Sequence, residues 1–284
     1  MNICLIGATG YLGSHILKEL NNRNIYPIVL TRRWDYSFSS NINTKEVYKV
    51  DFTKKHSLLN KLDGVDIVIS TLGITRQKDN LTYMDVDYQA NLNILNEAKN
   101  SGVKKFIYVS ALNANKFKDL KICEAKEKFV DELKKSGLEY LIIRPNGFYS
   151  DMKDFLDMAR SGRIYLFGKG DKKLNPIDGK DLANFCLDSI DLKNKELEVG
   201  GPELFTHTQL ANLSFEVLDK KPKITYLPDF IRRITLKVLP YFVSSKTYGP
   251  IEFFLTMMGV DMIASKTGEN KLRDFYEKLV RLIY

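Results

Sequence analysis

Near its start the chain carries a short apolar run, Ile3-Cys4-Leu5-Ile6, that passes directly into Gly7-Ala8-Thr9-Gly10-Tyr11-Leu12-Gly13 and then into apolar residues at helical spacing. No other stretch limits the possible folds as strongly. A strand, a glycine-rich turn and a helix in that order form a phosphate-binding turn, and each glycine has its own task. Gly7 allows the sharp turn, Gly10 allows the backbone to approach a pyrophosphate, and Gly13 allows the helix to pack close on the sheet. Backbone N–H groups and the positive helix end would hold the phosphates, so Thr9, Tyr11 and Leu12 join the three glycines as cofactor-binding candidates. The spacing is G-x-x-G-x-x-G, a partial match to the general G-x-G-x-x-G fingerprint.

The rest of the chain supports that reading. Runs rich in Ile and Val recur at 3–6, 27–30, 46–50, 66–70, 106–109 and 140–143, with helical periodicity over 11–20, 86–99 and 124–135. Strands alternating with helices of this length make βαβ units and a parallel sheet, and almost continuous apolar strands suit a sheet covered on both faces. The fold class is therefore α/β, a Rossmann-type doubly wound parallel sheet. After Arg144-Pro145 the alternation loosens: the pattern predicts helices over 151–160, 178–190 and 206–218, a strand over 164–167 and another near Leu197. The expected organisation is a nucleotide-binding domain over 1–150, with a smaller substrate-facing or lid region over 151–284 packed on it.

The second strand ends in Leu30-Thr31-Arg32-Arg33, about 20 residues beyond the glycine turn, where an acidic residue would bind the ribose hydroxyls of NAD. A guanidinium there pairs bidentately with a 2′-phosphate instead, so NADP(H) is favoured over NAD(H). The competing reading leaves Arg32 and Arg33 solvated and gives the ribose to Asp35.

The glycine motif and the arginine after the second strand resemble those of the atypical short-chain dehydrogenase/reductases, in particular NmrA-like NADP-binding proteins. Further pieces match in order: Val50-Asp51, Ser70-Thr71-Leu72-Gly73, Asp87-Tyr88-x-x-Asn91, Tyr108-Val109-Ser110-Ala111, Ser136-Gly137-Leu138-Glu139-Tyr140 and Arg144-Pro145. The resemblance implies that Asp51 meets the adenine, that Thr71, Leu72 and Gly73 line the cofactor, and that Pro145-Asn146-Gly147 flanks the nicotinamide. The stretch from Gly168 through Asn175-Pro176-Ile177-Asp178-x-x-Asp181, then Gly200-Gly201-Pro202-Glu203, is similar to divinyl chlorophyllide 8-vinyl-reductase-like members. Subgroup membership does not fix a chlorophyll substrate, because chemistry changes on a conserved fold.

Carbonyl-reducing members of this family use a Y-x-x-x-K pair. In the family's register the lysine is Lys126, ten residues before Ser136, and the tyrosine position is Ile122, which has no proton to give. Ser110 stands where the family orients substrate. Lys126 and Ser110 are thus the catalytic candidates and also touch the cofactor, with Lys126 able to act as an acid only if its pKa is brought down. Three readings follow: a reductase adding hydride from NADPH to a conjugated apolar substrate, a redox sensor that binds NADP(H) without turnover, or an assembly factor in which the cofactor is structural. Phe148, Tyr149 and Tyr165 are candidates for the substrate wall.

Composition removes other classes. Cys4, Cys123 and Cys186 form no C-x-x-C pair and His15, His56 and His207 share no ligand spacing, so neither a disulfide scaffold nor a metal site is expected. There is no signal-like start and no apolar run of bilayer length, which predicts a cytoplasmic protein. Most of the net charge of +8 comes from 220–247, where seven cations face one anion, Asp229. No nucleic-acid module accompanies them. Leu227, Phe230, Ile231, Ile234 and Val238 form an apolar stripe in that segment; packing over the substrate cleft is the favoured explanation, with peripheral membrane contact through 227–258 as the alternative.

Overall fold

The computed structural model describes residues 1–33, 42–75, 77 and 81–282. In chain order the elements are β1 (Ile3–Ile6), α1 (Tyr11–Asn22), β2 (Ile28–Thr31), β3 (Glu46–Lys49), β4 (Ile67–Ser70), a π-helical segment (Met84–Ala90), α2 (Asn91–Asn100), β5 (Lys105–Val109), α3 (Lys121–Lys135) and β6 (Glu139–Pro145). They continue with α4 (Tyr149–Arg160), β7 (Ile164–Phe167), β8 (Lys173–Leu174), α5 (Gly179–Asp188), β9 (Lys195–Gly200), β10 (Phe205–Thr206), α6 (His207–Val217), β11 (Ile224–Leu227), α7 (Asp229–Val238), α8 (Ser245–Met257), β12 (Ser265–Lys266) and α9 (Leu272–Arg281). Two compact units result, Met1–Arg144 with Leu182–Leu197 and Pro145–Asp181 with Glu198–Tyr284.

In the first unit the strands lie in the order β3-β2-β1-β4-β5-β6. β1 pairs in parallel with β2 on one side, Cys4 opposite Ile28, and with β4 on the other, Ile3 opposite Ile67. Chain order therefore reverses at β1, and ligands of doubly wound sheets bind outside the carboxyl ends of the strands at such a switch point. The turn after β1 and the turn after β4 both end there. Apolar residues of β1, β2 and β4 are buried along their whole length, as double-sided coverage by helices requires, while β3 is at the edge and partly exposed. Phe106, Tyr108, Phe129 and Ile142 join the same core cluster as Cys4 and Ile6.

In the second unit β7 pairs in parallel with β11, β8 pairs with β10, and α4, α6 and α9 bury a core around Phe155, Leu156, Leu210, Phe215 and Tyr276. Asn175 ties its loops: Nδ2 donates to the carbonyls of Gly201 (3.1 Å) and Ala264 (3.0 Å), and Oδ1 accepts from Ala264 N (3.0 Å). A Cβ on Gly200 would collide with that amide. Asp181 accepts from the backbone of Glu269 (3.0 Å) and Asn270 (2.9 Å). The Asn175, Asp181 and Gly200-Gly201 positions thus organise this unit's backbone.

His207 opens α6 with a buried imidazole whose Nδ1 has no partner, and burial pulls its pKa down from 6.5 to about 4. The unfolded chain takes up this proton first as pH falls, so stability declines from about pH 6.5 towards 4 and levels off below. Unfolding free energies from urea titrations at pH 7 and pH 5 should differ by about 2 kcal/mol more in the native protein than in His207→Phe. Equal pH dependence in the two would remove His207 from this role.

α7 departs from the expectation of a stripe packed over a cleft. None of its residues is buried, and Phe230, Ile231, Ile234 and Val238 are exposed. The reason lies in what holds α7 to α8. Arg232 donates to the carbonyl of Leu255 (3.1 Å), and the Tyr248 hydroxyl donates to that of Leu236 (2.9 Å), so the side of α7 that carries Arg232 and Leu236 faces α8.

Candidate functional site

The glycine turn is built as its sequence demands. Gly7 has φ +83°, in the left-handed region, and a Cβ there would lie 2.5 Å from the Thr71 hydroxyl. Gly10 N donates to Gly7 O (2.9 Å), and a Cβ on Gly13 would collide with that same carbonyl. α1 therefore starts in contact with the turn, at Tyr11 and Leu12. Among the described residues no side chain caps its N-terminus and no carboxylate stands in its first turn, so the positive end is left for an anion. Thr9 lies in the exposed part of the turn. The arrangement fits a pyrophosphate.

Arg32 and Arg33 follow β2 and are exposed, with the Thr31 hydroxyl donating to Arg33 O (2.8 Å) and shaping the strand end. With Lys49, Val50 and Asp51 they line a surface depression of about 480 Å³. Three cations around one depression fit a phosphate on the adenosine. Asp35 lies outside the described residues. Asp51 accepts from Thr53 N (3.1 Å) and Thr53 Oγ1 (2.6 Å), and these bonds keep its carboxyl below the usual range, ionised beside the arginines.

The turn after β4 is held from beneath. Thr71 donates to Ile6 O (3.0 Å), fastening this turn to the glycine turn. Asn91 accepts from the Ser70 hydroxyl (2.7 Å) and donates to Leu72 O (3.1 Å), while Asp87 Oδ2 accepts from Ile74 N (3.2 Å). Both acceptors are fully buried. Asp87 lies in the π-helical segment, a distortion that often marks function.

Lys126, on α3, reaches Asp87 Oδ1 at 2.7 Å, and a Cβ on Gly73 would lie 2.6 Å from that oxygen and 3.0 Å from Nζ. Glycine is required there because the backbone passes directly over a buried ion pair. Burial pulls the ammonium's pKa down, but the charge of Asp87, with Tyr108 and the hydrogen bond, more than offsets it, so Lys126 is held above the usual lysine range. The condition for Lys126 to act as an acid, a lowered pKa, is therefore not met: beside Asp87 the ammonium is held in its charged form. NADPH affinity measured between about pH 7 and 9 should show no step from its titration; a midpoint in that window would sink the assignment.

Ser110 is also tied in. Its hydroxyl donates to Glu127 Oε1 (3.3 Å) and accepts from Arg144 Nη1 (3.4 Å). Arg144 and Glu127 form a buried bidentate pair, Nη1 to Oε1 at 2.6 Å and Nη2 to Oε2 at 2.9 Å, extended by Arg144 Nε to Glu196 Oε2 (2.8 Å) and by Lys134 on Glu196. Glu127 did not emerge from the sequence, and Asp87 was noted only within the matching piece Asp87-Tyr88-x-x-Asn91, with no role given to it. For Glu127 the available signal was Arg144 itself, since a guanidinium ending the apolar run Leu141-Ile142-Ile143 must find a carboxylate. Ile122 is buried on α3.

The remaining candidates lie in the second unit. Pro145 ends β6. Asn146 has its amide committed: Nδ2 donates to Asn175 Oδ1 (2.8 Å) and Met262 O (2.7 Å), and Oδ1 accepts from Gly147 N (2.8 Å). Phe148 is half-buried at the start of α4 and Tyr165 is exposed on β7. Tyr149 is fully buried and donates to Asn270 O (2.7 Å), which makes it a core residue of its unit and not an open substrate wall. Among the described residues no His, Cys, Asp and Glu cluster could hold a metal ion.

A sequence model described as NAD(P)H-binding matches residues 7–193. The chain is 28% identical to a divinyl chlorophyllide a 8-vinyl-reductase of Cucumis sativus, over 98% of this chain and 76% of that one. It is 22% identical to the photosystem II assembly factor Ycf39 of Trieres chinensis, over 94% and 85%. An NADPH-dependent quinone oxidoreductase from Escherichia coli, solved with NADPH, shares the fold at TM-score 0.71 and 20% identity over 98% of this chain and 99% of that one.

Proposed function

The chain belongs to the NAD(P)H-binding family, and from that premise we propose that it is an NADPH-dependent reductase of an apolar, conjugated small molecule. The observation that carries this reading is the buried Asp87–Lys126 pair, 2.7 Å apart, beneath the turn after β4. A family fold used only as a scaffold has no need to keep a largely buried ammonium charged beneath the turn after β4, because such a pair is costly to bury. Gly7, Thr9, Gly10, Tyr11, Leu12 and Gly13 would hold the pyrophosphate, Arg32 and Arg33 the 2′-phosphate, Asp51 the adenine, and Thr71, Leu72, Gly73 and Lys126 the nicotinamide riboside. Ser110 is the residue closest in kind to a substrate-orienting group, and Pro145 and Asn146 keep the roles the resemblance implies. Bound NADPH would supply a hydride. Lys126 orients the ribose and offers positive charge; it does not give up its proton. With Ile122 in the tyrosine position the proton that completes reduction comes from water, which suits a conjugated acceptor better than a simple ketone.

A second reading has its own support. Ile122 leaves the site without the usual side-chain acid, as a cofactor-binding assembly factor or redox sensor would tolerate, and one relative is named as an assembly factor. Purified protein titrated with NADPH and then challenged with quinones, enones and tetrapyrroles separates the two. Oxidation of bound NADPH by one class of acceptor supports the reductase; tight binding with no oxidation across the panel favours the second reading. Arg32→Ala should weaken NADPH by about tenfold while leaving NADH nearly unchanged, since only NADPH carries the phosphate. Equal losses for both cofactors would defeat the 2′-phosphate assignment.

A further inference from the structure

None of the residues proposed to hold the cofactor lies in the segment 220–258. At about 100° of rotation per residue, Phe230, Ile231, Ile234 and Val238 fall on one arc of α7. Arg232 and Leu236 lie on the opposite side, which the contacts with Leu255 and Tyr248 turn inward. The arc is left open: Phe230 is 54% exposed and Ile234 53%. Beyond Pro240 the chain presents Tyr241 and Phe242, 86% and 79% exposed. A contiguous apolar face of this kind marks a docking surface.

Charge identifies what docks. Arg233 and Lys237 border the apolar arc, and over 220–258 seven cations face two carboxylates, Asp229 and Glu252. Asp229 is itself held by Arg232 at 2.6 Å and by Arg233 at 3.3 Å. A second copy of this face would set Arg233 and Lys237 against their own equivalents in a symmetric contact, which like charges oppose. An apolar stripe edged by cations and ending in exposed aromatics is complementary to the headgroup region of an anionic bilayer. No helix among the described residues is long and apolar enough to cross a membrane. We propose that α7 and the Tyr241-Phe242 tip lie in the surface of a membrane containing anionic lipid, with the helix axis in its plane.

Flotation of the full chain with phosphatidylcholine vesicles, with and without phosphatidylglycerol, tests this. Binding is expected only with phosphatidylglycerol and weakens as salt is raised. Arg233→Ala with Lys237→Ala should lower partitioning by about fivefold for each cation removed, and Phe230→Ser with Ile234→Ser should abolish it. All four residues are exposed, so the thermal midpoint and NADPH affinity of both variants should stay native. Absence of native binding to phosphatidylglycerol vesicles overturns the proposal, as does binding that both variants retain. A native dimer that Phe230→Ser with Ile234→Ser converts to monomer also overturns it, and assigns the face to a second copy.

Discussion

Replacing Arg144 by methionine should destabilise the first unit by about 3–5 kcal/mol, because it strands the Glu127 carboxylate in the core. Both side chains are almost fully buried, at 2% and 5% exposure, so solvent cannot take over the lost bonds. Part of the loss comes from Glu196, which is one-third exposed and can turn to water. A drop of that size lowers the thermal midpoint by about 10 °C in a unit of this length. The double variant Arg144→Met with Glu127→Leu should recover most of the loss, since removing both charges removes the desolvation penalty along with the attraction. Urea titrations of the native protein and the three variants measure the cycle. If Arg144→Met lay within about 1 kcal/mol of native, the pair would be a spectator.

The glycine turn separates binding from folding. Gly10 has φ −79°, which any residue adopts, and a Cβ there would meet Gly7 O at 3.3 Å, a contact that a few tenths of an ångström relieve. Gly10→Ala should therefore keep the native thermal midpoint. Its methyl group would stand where the backbone must approach the pyrophosphate, and NADPH affinity should fall by about a hundredfold, close to 3 kcal/mol. Gly13→Ala is different in kind: its Cβ collides with Gly7 O, so α1 must move off the sheet and stability falls together with affinity. Calorimetric titration and thermal melts of the two variants give the comparison. Native NADPH affinity in Gly10→Ala would place the pyrophosphate elsewhere.

Much of the first unit was legible because its signals are local. β1 was read at its observed limits and α1 from its observed start, since an apolar strand, a glycine turn and a 3.6-residue period need no distant partner. Asn146 and Tyr149 were less legible. Their residue types suited a cofactor or substrate wall, but their partners, Met262 and Asn270, stand more than a hundred residues away. The stripe on α7 was read correctly as a stripe. Its orientation depended on Arg232 reaching Leu255, a contact that periodicity does not contain.

The sequence by itself determined the class of fold, the phosphate-binding turn and the cationic end of β2, because steric demands at Gly7 and Gly13 and apolar periodicity act within a few residues. Only the tertiary structure decided the charge state of Lys126 and the outward face of α7. Both rest on which groups a fold brings within hydrogen-bond reach: a pKa is set by the carboxylate 2.7 Å away, and a helix face by the carbonyls that anchor its other side.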